Sequence, residues 1–221
     1  MSKILNIEEY PNILNDLPYD TNWIKDQIKS NKMIFFPVRS FLAERYSPKI
    51  KDEKNNYTFV HVFYNYIINN HKIPNQEEFY NEVHNVFSDD ENYISLQERD
   101  GFIDGFKARV YRTYPSLVRD LYLNKLLSEN GYNVIYNIEL DVKKKIDTLL
   151  IIDDKYYGIG MFVDTTRSRE RRKDKLSKLD KFDNVEYVDL PIIIDEHCET
   201  VGEIWLYTKY HIEKLMEVLK K

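Results

Sequence analysis

The chain has 221 residues, 43% of them apolar and 14% aromatic, which is enough for a buried core and excludes wholesale disorder. A single cysteine, Cys198, excludes an internal disulfide framework and a Cys-rich zinc site, and the longest apolar runs, such as Ile192-Ile193-Ile194, are too short to span a bilayer. The net charge of −5 argues against a chain-wide basic footprint for nucleic acid, and the opening Met1-Ser2-Lys3, soon followed by Glu8-Glu9, reads without a signal-peptide apolar core. A cytoplasmic, reducing setting without membrane contact is expected.

Residues 1–106 read as a mostly helical N-terminal region. A short amphipathic piece is predicted at 23–30. Val60, Phe63, Tyr64 and Ile67 recur at helical spacing within 59–69. A further helix starts at Pro74-Asn75-Gln76-Glu77-Glu78 and runs through Phe79, Val83 and Phe87, with its acids at the positive end of the helix dipole. The core is expected at 107–221. There, Pro115 with Ser116 as N-cap opens a helix through Leu117, Val118, Leu121, Tyr122 and Leu126, and Asn130-Gly131 stops it. Alternation of Val134, Tyr136, Ile138 and Leu140 with polar residues predicts a half-buried strand, and Lys143-Lys144-Lys145 predicts a turn. Strands are expected at 146–152 and 156–165, joined by a hairpin with its turn at Asp154-Lys155. A basic helix capped by Ser168 comes next, then a strand over 185–194 that Pro191 marks as an edge or an irregular end, a short strand at 204–206 and a closing helix over 210–219. The order α-β-β-β-α-β-β-α gives a mixed α/β core with helices on the sheet.

Charge is distributed unevenly. Residues 1–106 hold 11 basic against 17 acidic side chains, whereas 107–221 hold 21 against 20. The 17 residues 166–182 alone carry +5, from Arg167, Arg169, Arg171, Arg172, Lys173, Lys175, Lys178 and Lys181 against three acids. Further basic zones are Lys107, Arg109, Arg112, Arg119 and Lys125, and the run Lys143, Lys144, Lys145. Screening confines the field of such clusters to about 8–10 Å, so they can hold phosphate on an acidic chain. They can equally be solvated helix faces and turns.

Asp147 stands near the start of an apolar strand. The predicted turn places it opposite Phe162, with Asp164 diagonally across on the same face, within reach of a shared ion. Asp120 on the preceding helix adds a third carboxylate. Carboxylates around a hard cation are what phosphodiester hydrolysis requires. The same residues can also be ordinary polar strand ends.

The segments Ser116-Leu117-Val118-Arg119-Asp120-Leu121-Tyr122, Gly131-Tyr132-Asn133-Val134, Lys145-Ile146-Asp147-Thr148-Leu149-Leu150 and Tyr157-Gly158-Ile159-Gly160-Met161-Phe162-Val163 together resemble the core of the PD-(D/E)XK nuclease superfamily. This is the restriction-endonuclease-like fold, shared with Holliday-junction resolvases and mobile-element nucleases. The resemblance covers roughly residues 112–195. It implies DNA as substrate, Mg²⁺ or Mn²⁺ as cofactor, a helix acid at Asp120 and a second-strand metal ligand at Asp147. The third-strand slots, an acid and a lysine in the family, fall on Gly160 and Phe162 and depart from its pattern. One explanation moves the acid to Asp164 as second metal ligand and the cation to Lys173, Lys175 or Arg167, with Arg112, Arg119, Lys143, Lys144, Lys145, Arg167, Arg169, Arg171, Arg172 and Lys175 holding DNA. The other keeps the fold as a module that binds DNA or a protein partner without cleavage. The N-terminal region is then a place for partner contact or homodimer formation.

No GxGxxG or GxxxxGK[ST] loop is present, so nucleotide-dependent chemistry is not expected. His197-Cys198 lacks zinc-ligand spacing, and zinc is not expected. Among the many aromatic residues, Tyr111, Tyr114, Tyr156 and Tyr157 stand near basic residues and are the candidates for base stacking.

Overall fold

A computed structural model describes residues 3–34, 53–54, 57–177 and 179–220. The side chains of Arg167, Arg171 and Lys175, and all of Lys178, lie outside this description. The chain is mixed α/β, and its contacts divide it into two units: 1–25 with 119–201 and 205–221, and 26–118 with 202–204.

The second unit is helical, as the N-terminal pattern predicts. After α1 (Thr21–Ile28), which begins in the first unit, come two short strands, β1 (Glu53–Lys54) and β2 (Tyr57–Thr58), then α2 (Phe59–Asn70), α3 (Gln76–Phe87) and α4 (Glu91–Gln97). Thr58 and Asn75 close capping boxes with His61 and Glu78. Phe63, Phe79, Phe87, Tyr93, Phe102, Phe106 and Tyr114 are fully buried, with rings meeting mostly edge to face. Truncating one such ring to Ala costs roughly 3–5 kcal/mol. Tyr111 and Tyr114 therefore belong to this core and present no stacking surface.

The helix predicted to begin at Pro115 is longer. α5 spans Phe102–Glu129 and contains Pro115 in its interior. A proline there denies a donor to the carbonyl four residues back, Tyr111 O. The buried amide of Gln76 supplies that bond, Nε2 donating to Tyr111 O at 3.0 Å. The helix continues because another element satisfies the carbonyl.

The first unit holds β3 (Asn133–Ile135), α6 (Ile138–Lys144), β4 (Thr148–Ile152), β5 (Lys155–Val163), α7 (Thr166–Ser177), β6 (Val185–Ile192), β7 (Glu199–Val201), β8 (Ile204–Leu206, whose first residue counts with the other unit) and α8 (Lys209–Leu219). The sheet order is β3-β4-β5-β6, antiparallel through β5 and parallel between β5 and β6. Pro191 lies in β6, the edge strand, where a missing N–H is tolerated.

Three predicted details are corrected. The strand expected through Leu140 ends at Ile135, because Asn137 caps α6 by accepting from Glu139 N and Leu140 N. The lysine run is the end of α6, with Lys143 and Lys144 at its negative pole and Lys145 left-handed at φ 57°. Thr165, not Ser168, caps α7, its Oγ1 accepting from Ser168 N at 3.1 Å.

The unit boundary differs from the expected 106/107. It falls at 118/119 inside α5, and residues 3–17 pack with the C-terminal core: Asn184 clamps the backbone of Leu5 at 2.7 and 3.1 Å, and Asn12 bonds Val134 O and Tyr136 N at 2.9 and 3.1 Å.

Candidate functional site

The site begins with a hairpin register. The turn between β4 and β5 is Asp153-Asp154, both left-handed (φ 48° and 60°), as a two-residue primed turn requires. Ile152 therefore pairs with Lys155 and Thr148 with Ile159. Placing the turn one residue later would move every facing partner by two, so the expected pairing of Asp147 with Phe162 is corrected. Asp147 brackets Gly160 instead: its N–H donates to Ile159 O at 2.9 Å, and its Oδ2 accepts from Met161 N at 2.5 Å. The carboxylate takes the part of a backbone acceptor where the ladder ends.

This register separates Asp164 from Asp147. Four residues of strand beyond Gly160 amount to about 13 Å. Asp164 is occupied elsewhere, held by Arg169 through Nε and, at 2.6 Å, through Nη2. That guanidinium keeps its carboxyl below the ordinary carboxylate range. The two aspartates expected to share an ion are not brought together.

Asp120 is the residue brought to Asp147. Desolvation first, then the charge of Asp147, then that of Asp141, hold the Asp120 carboxyl well above its ordinary range, against the opposing pull of Arg119. Asn124, one turn further along α5 and fully buried, fixes this geometry. Its Nδ2 donates to Asp120 O at 2.8 Å and to Asp147 O at 3.2 Å, while its Oδ1 accepts from Thr148 Oγ1 at 3.0 Å. The buried Tyr207 feels the same charges, its hydroxyl raised by burial and then by Asp120. Sequence reading missed both residues. Asn124 had a signal, a polar residue at i+3 and i+7 from Leu121 and Leu117 on an apolar helix stripe. Tyr207 had none.

Two like charges in a desolvated site repel, and a hard cation relieves both penalties. Asp120 and Asp147 fit Mg²⁺ or Mn²⁺ in this sense, since such ions are commonly held by one or two carboxylates with substrate and water completing the shell. Among the described residues, no group of three or more His, Cys, Asp or Glu side chains gathers around one point.

The other face of β5 belongs to α7. Thr148 and Ile159 face α5, so Gly158, Gly160 and Phe162 face the opposite way. There Arg172, 8% exposed, lies across Gly160 so closely that a Cβ would fall inside its guanidinium. Arg172 Nε donates to Asp189 Oδ1 at 2.7 Å, Nη1 to Lys145 O at 3.1 Å, and Nη2 is buried without a partner among the described residues. Arg172 is thus an internal pin, not the exposed phosphate contact expected of it. Two further expected contacts are also engaged within the fold: Lys144 meets Asp180 and the Phe182 ring, and Lys145 donates to Val142 O. Lys143 is exposed and pairs with Glu139 at 3.3 Å. Arg112 is exposed and belongs to the other unit, while Arg119 is partly covered beside Asp120. Lys173 is exposed and lines a cleft of about 420 Å³ with Phe162, a cleft whose lining does not include Asp147.

Cys198 has a neighbour that the sequence did not reveal, His211, whose Nε2 is 4.0 Å from Sγ. Thr208 N donates to His211 Nδ1 at 3.1 Å, and burial lowers the affinity of the ring for a second proton. Held neutral with Nε2–H facing sulfur, the ring is no base toward the thiol.

No family model, no curated protein and no solved structure matches this chain. No described helix is long and apolar enough to cross a membrane.

Proposed function

We propose that the 119–201 core acts on nucleic acid as a restriction-endonuclease-like module that hydrolyses phosphodiester bonds with Mg²⁺ or Mn²⁺ held by Asp120 and Asp147. The observation that carries this reading is the Asp120 carboxyl, desolvated and set against the charge of Asp147 on facing elements. The succession of α5, the antiparallel strands β3, β4 and β5 with α6 inserted between the first two, then α7 and the parallel strand β6 supports it. When bound, the cation would acidify a water and stabilise charge on the scissile phosphate. The chain's part is to hold two carboxylates at fixed positions through Asn124 and the N–H of Met161.

The test is cleavage of single-stranded, duplex and branched DNA and of RNA by the wild type, beside Asp147→Asn and Asp120→Asn. Asn keeps an oxygen for Met161 N, so Asp147→Asn removes charge while preserving the strand end. A loss of roughly 10²-fold or more is expected, corresponding to several kcal/mol of transition-state stabilisation. Full activity in Asp147→Asn, or none in the wild type, defeats the hydrolase reading.

A second reading, binding without cleavage, is favoured by β5 itself. Toward α5 it offers Ile159 and Met161, neither acid nor lysine, and toward α7 Gly160 lies under Arg172. It expects salt-sensitive binding that survives Asp147→Asn.

A further inference from the structure

We infer that the cleft between α7 and the β5–β6 edge of the sheet is a binding site for one unpaired nucleotide of a single strand, its base on Phe162 and its flanking phosphates on Lys173 and Lys181. The inference deepens the nucleic-acid reading and rests on it.

The cleft, about 420 Å³, has Phe162 and Leu176 as its apolar surface and is within the size range of small-ligand sites. Its charges sort into paired and unpaired. Arg169 is neutralised by Asp164, and Asp189 by the buried Nε of Arg172 at 2.7 Å. Lys173 and Lys181 have no carboxylate partner within 4 Å among the described residues, and Lys181 sits over the Tyr187 ring at 5.3 Å. Two uncompensated ammonium groups beside an accessible ring combine an electrostatic groove with a stacking face. A duplex keeps its bases stacked inside, so the ring favours an unpaired base. Arg172 gives the site its rigidity. Fastened to β6 through Asp189 and to the backbone of Lys145, it fixes α7 over Gly160 and so fixes Lys173, the next residue, at the cleft.

The experiment is fluorescence anisotropy of a short labelled oligothymidylate with the full chain in EDTA, over a salt series. It compares wild type, Lys173→Gln with Lys181→Gln, Phe162→Leu, and a charge-matched control, Lys209→Gln with Lys214→Gln on α8. Each phosphate contact on a single strand contributes about 0.7 to the slope of log affinity against log salt, so the cleft double variant is expected to flatten it by about 1.4. Phe162→Leu is expected to weaken binding about tenfold at an unchanged slope. Absence of binding, an unchanged slope in the cleft variant, or an equal effect in the control overturns the proposal. So does tighter binding of a duplex than of the single strand. If Phe162→Leu fails to fold, the two lysine variants still decide. Lost binding with intact cleavage removes the cleft alone, and intact binding without cleavage removes the hydrolase reading alone.

Discussion

Single residues decide both halves of the core. The Asp120 carboxyl has its affinity for a proton raised by folding, so the neutral form is favoured in the native state. The sign follows: its contribution is fully present below the ordinary carboxylate range and is lost as pH rises through the raised native value. Asp120→Asn, which stays neutral, is therefore expected to gain stability relative to wild type as pH is raised from about 4 to about 8, and added Mg²⁺ should narrow the gap. Urea unfolding at each pH measures it, and a gap independent of pH contradicts the assignment. At Gly160 the issue is space. Gly160→Ala drives a methyl into the guanidinium of Arg172, which is tethered at two points. Overpacking together with disturbed charged hydrogen bonds is expected to cost about 1–3 kcal/mol, read as a lower urea midpoint at unchanged slope.

Among the elements, α5 shows how a local rule is overruled. Pro115 reads as a helix start because it ordinarily ends what precedes it, and the sequence contains no sign that Gln76, 39 positions earlier, caps the orphaned Tyr111 carbonyl. Gln76→Leu is expected to destabilise by about 1–3 kcal/mol, the cost of a buried unsatisfied carbonyl. In a Pro115→Ala background, where the helix supplies its own donor, the loss should shrink, and a double-mutant cycle in urea measures the coupling. The strands were legible wherever alternation or apolar runs were long: β4, β5, β6 and β8 fall where predicted within a few residues, as do α2, α3 and α8. Asp120 and Asp147 were legible as carboxylates of one candidate site. The exclusion of Asp164 from it was not, because that depends on the hairpin register, and Asp153-Asp154 carries no glycine to announce a primed turn. A one-residue shift there sent the expected partner to Asp164. The α6 helix escaped detection because Val134, Tyr136, Ile138 and Leu140 alternate across a boundary that only Asn137 marks.

At the scale of the whole chain, charge is arranged locally. The +5 segment does not present eight free cations: Arg169 is spoken for by an aspartate, Arg172 is buried, and Lys173 and Lys181 remain at the cleft. Counting basic residues in sequence overstated the number of exposed, unpaired cations for that reason. The clamp of Asn184 on Leu5 has a further consequence, in time as well as in space. Its partners are 179 positions apart, and the core that contains them is assembled from three separate stretches of chain. Contacts of such long range slow folding, because the intervening loop must close before they form. During synthesis Leu5 is made 179 positions before Asn184, so the surface that buries it is complete only after Asn184. The aromatic helices of 26–118 can collapse in the interval. Leu5 thus waits, apolar and uncovered, while the whole stretch up to Asn184 is made.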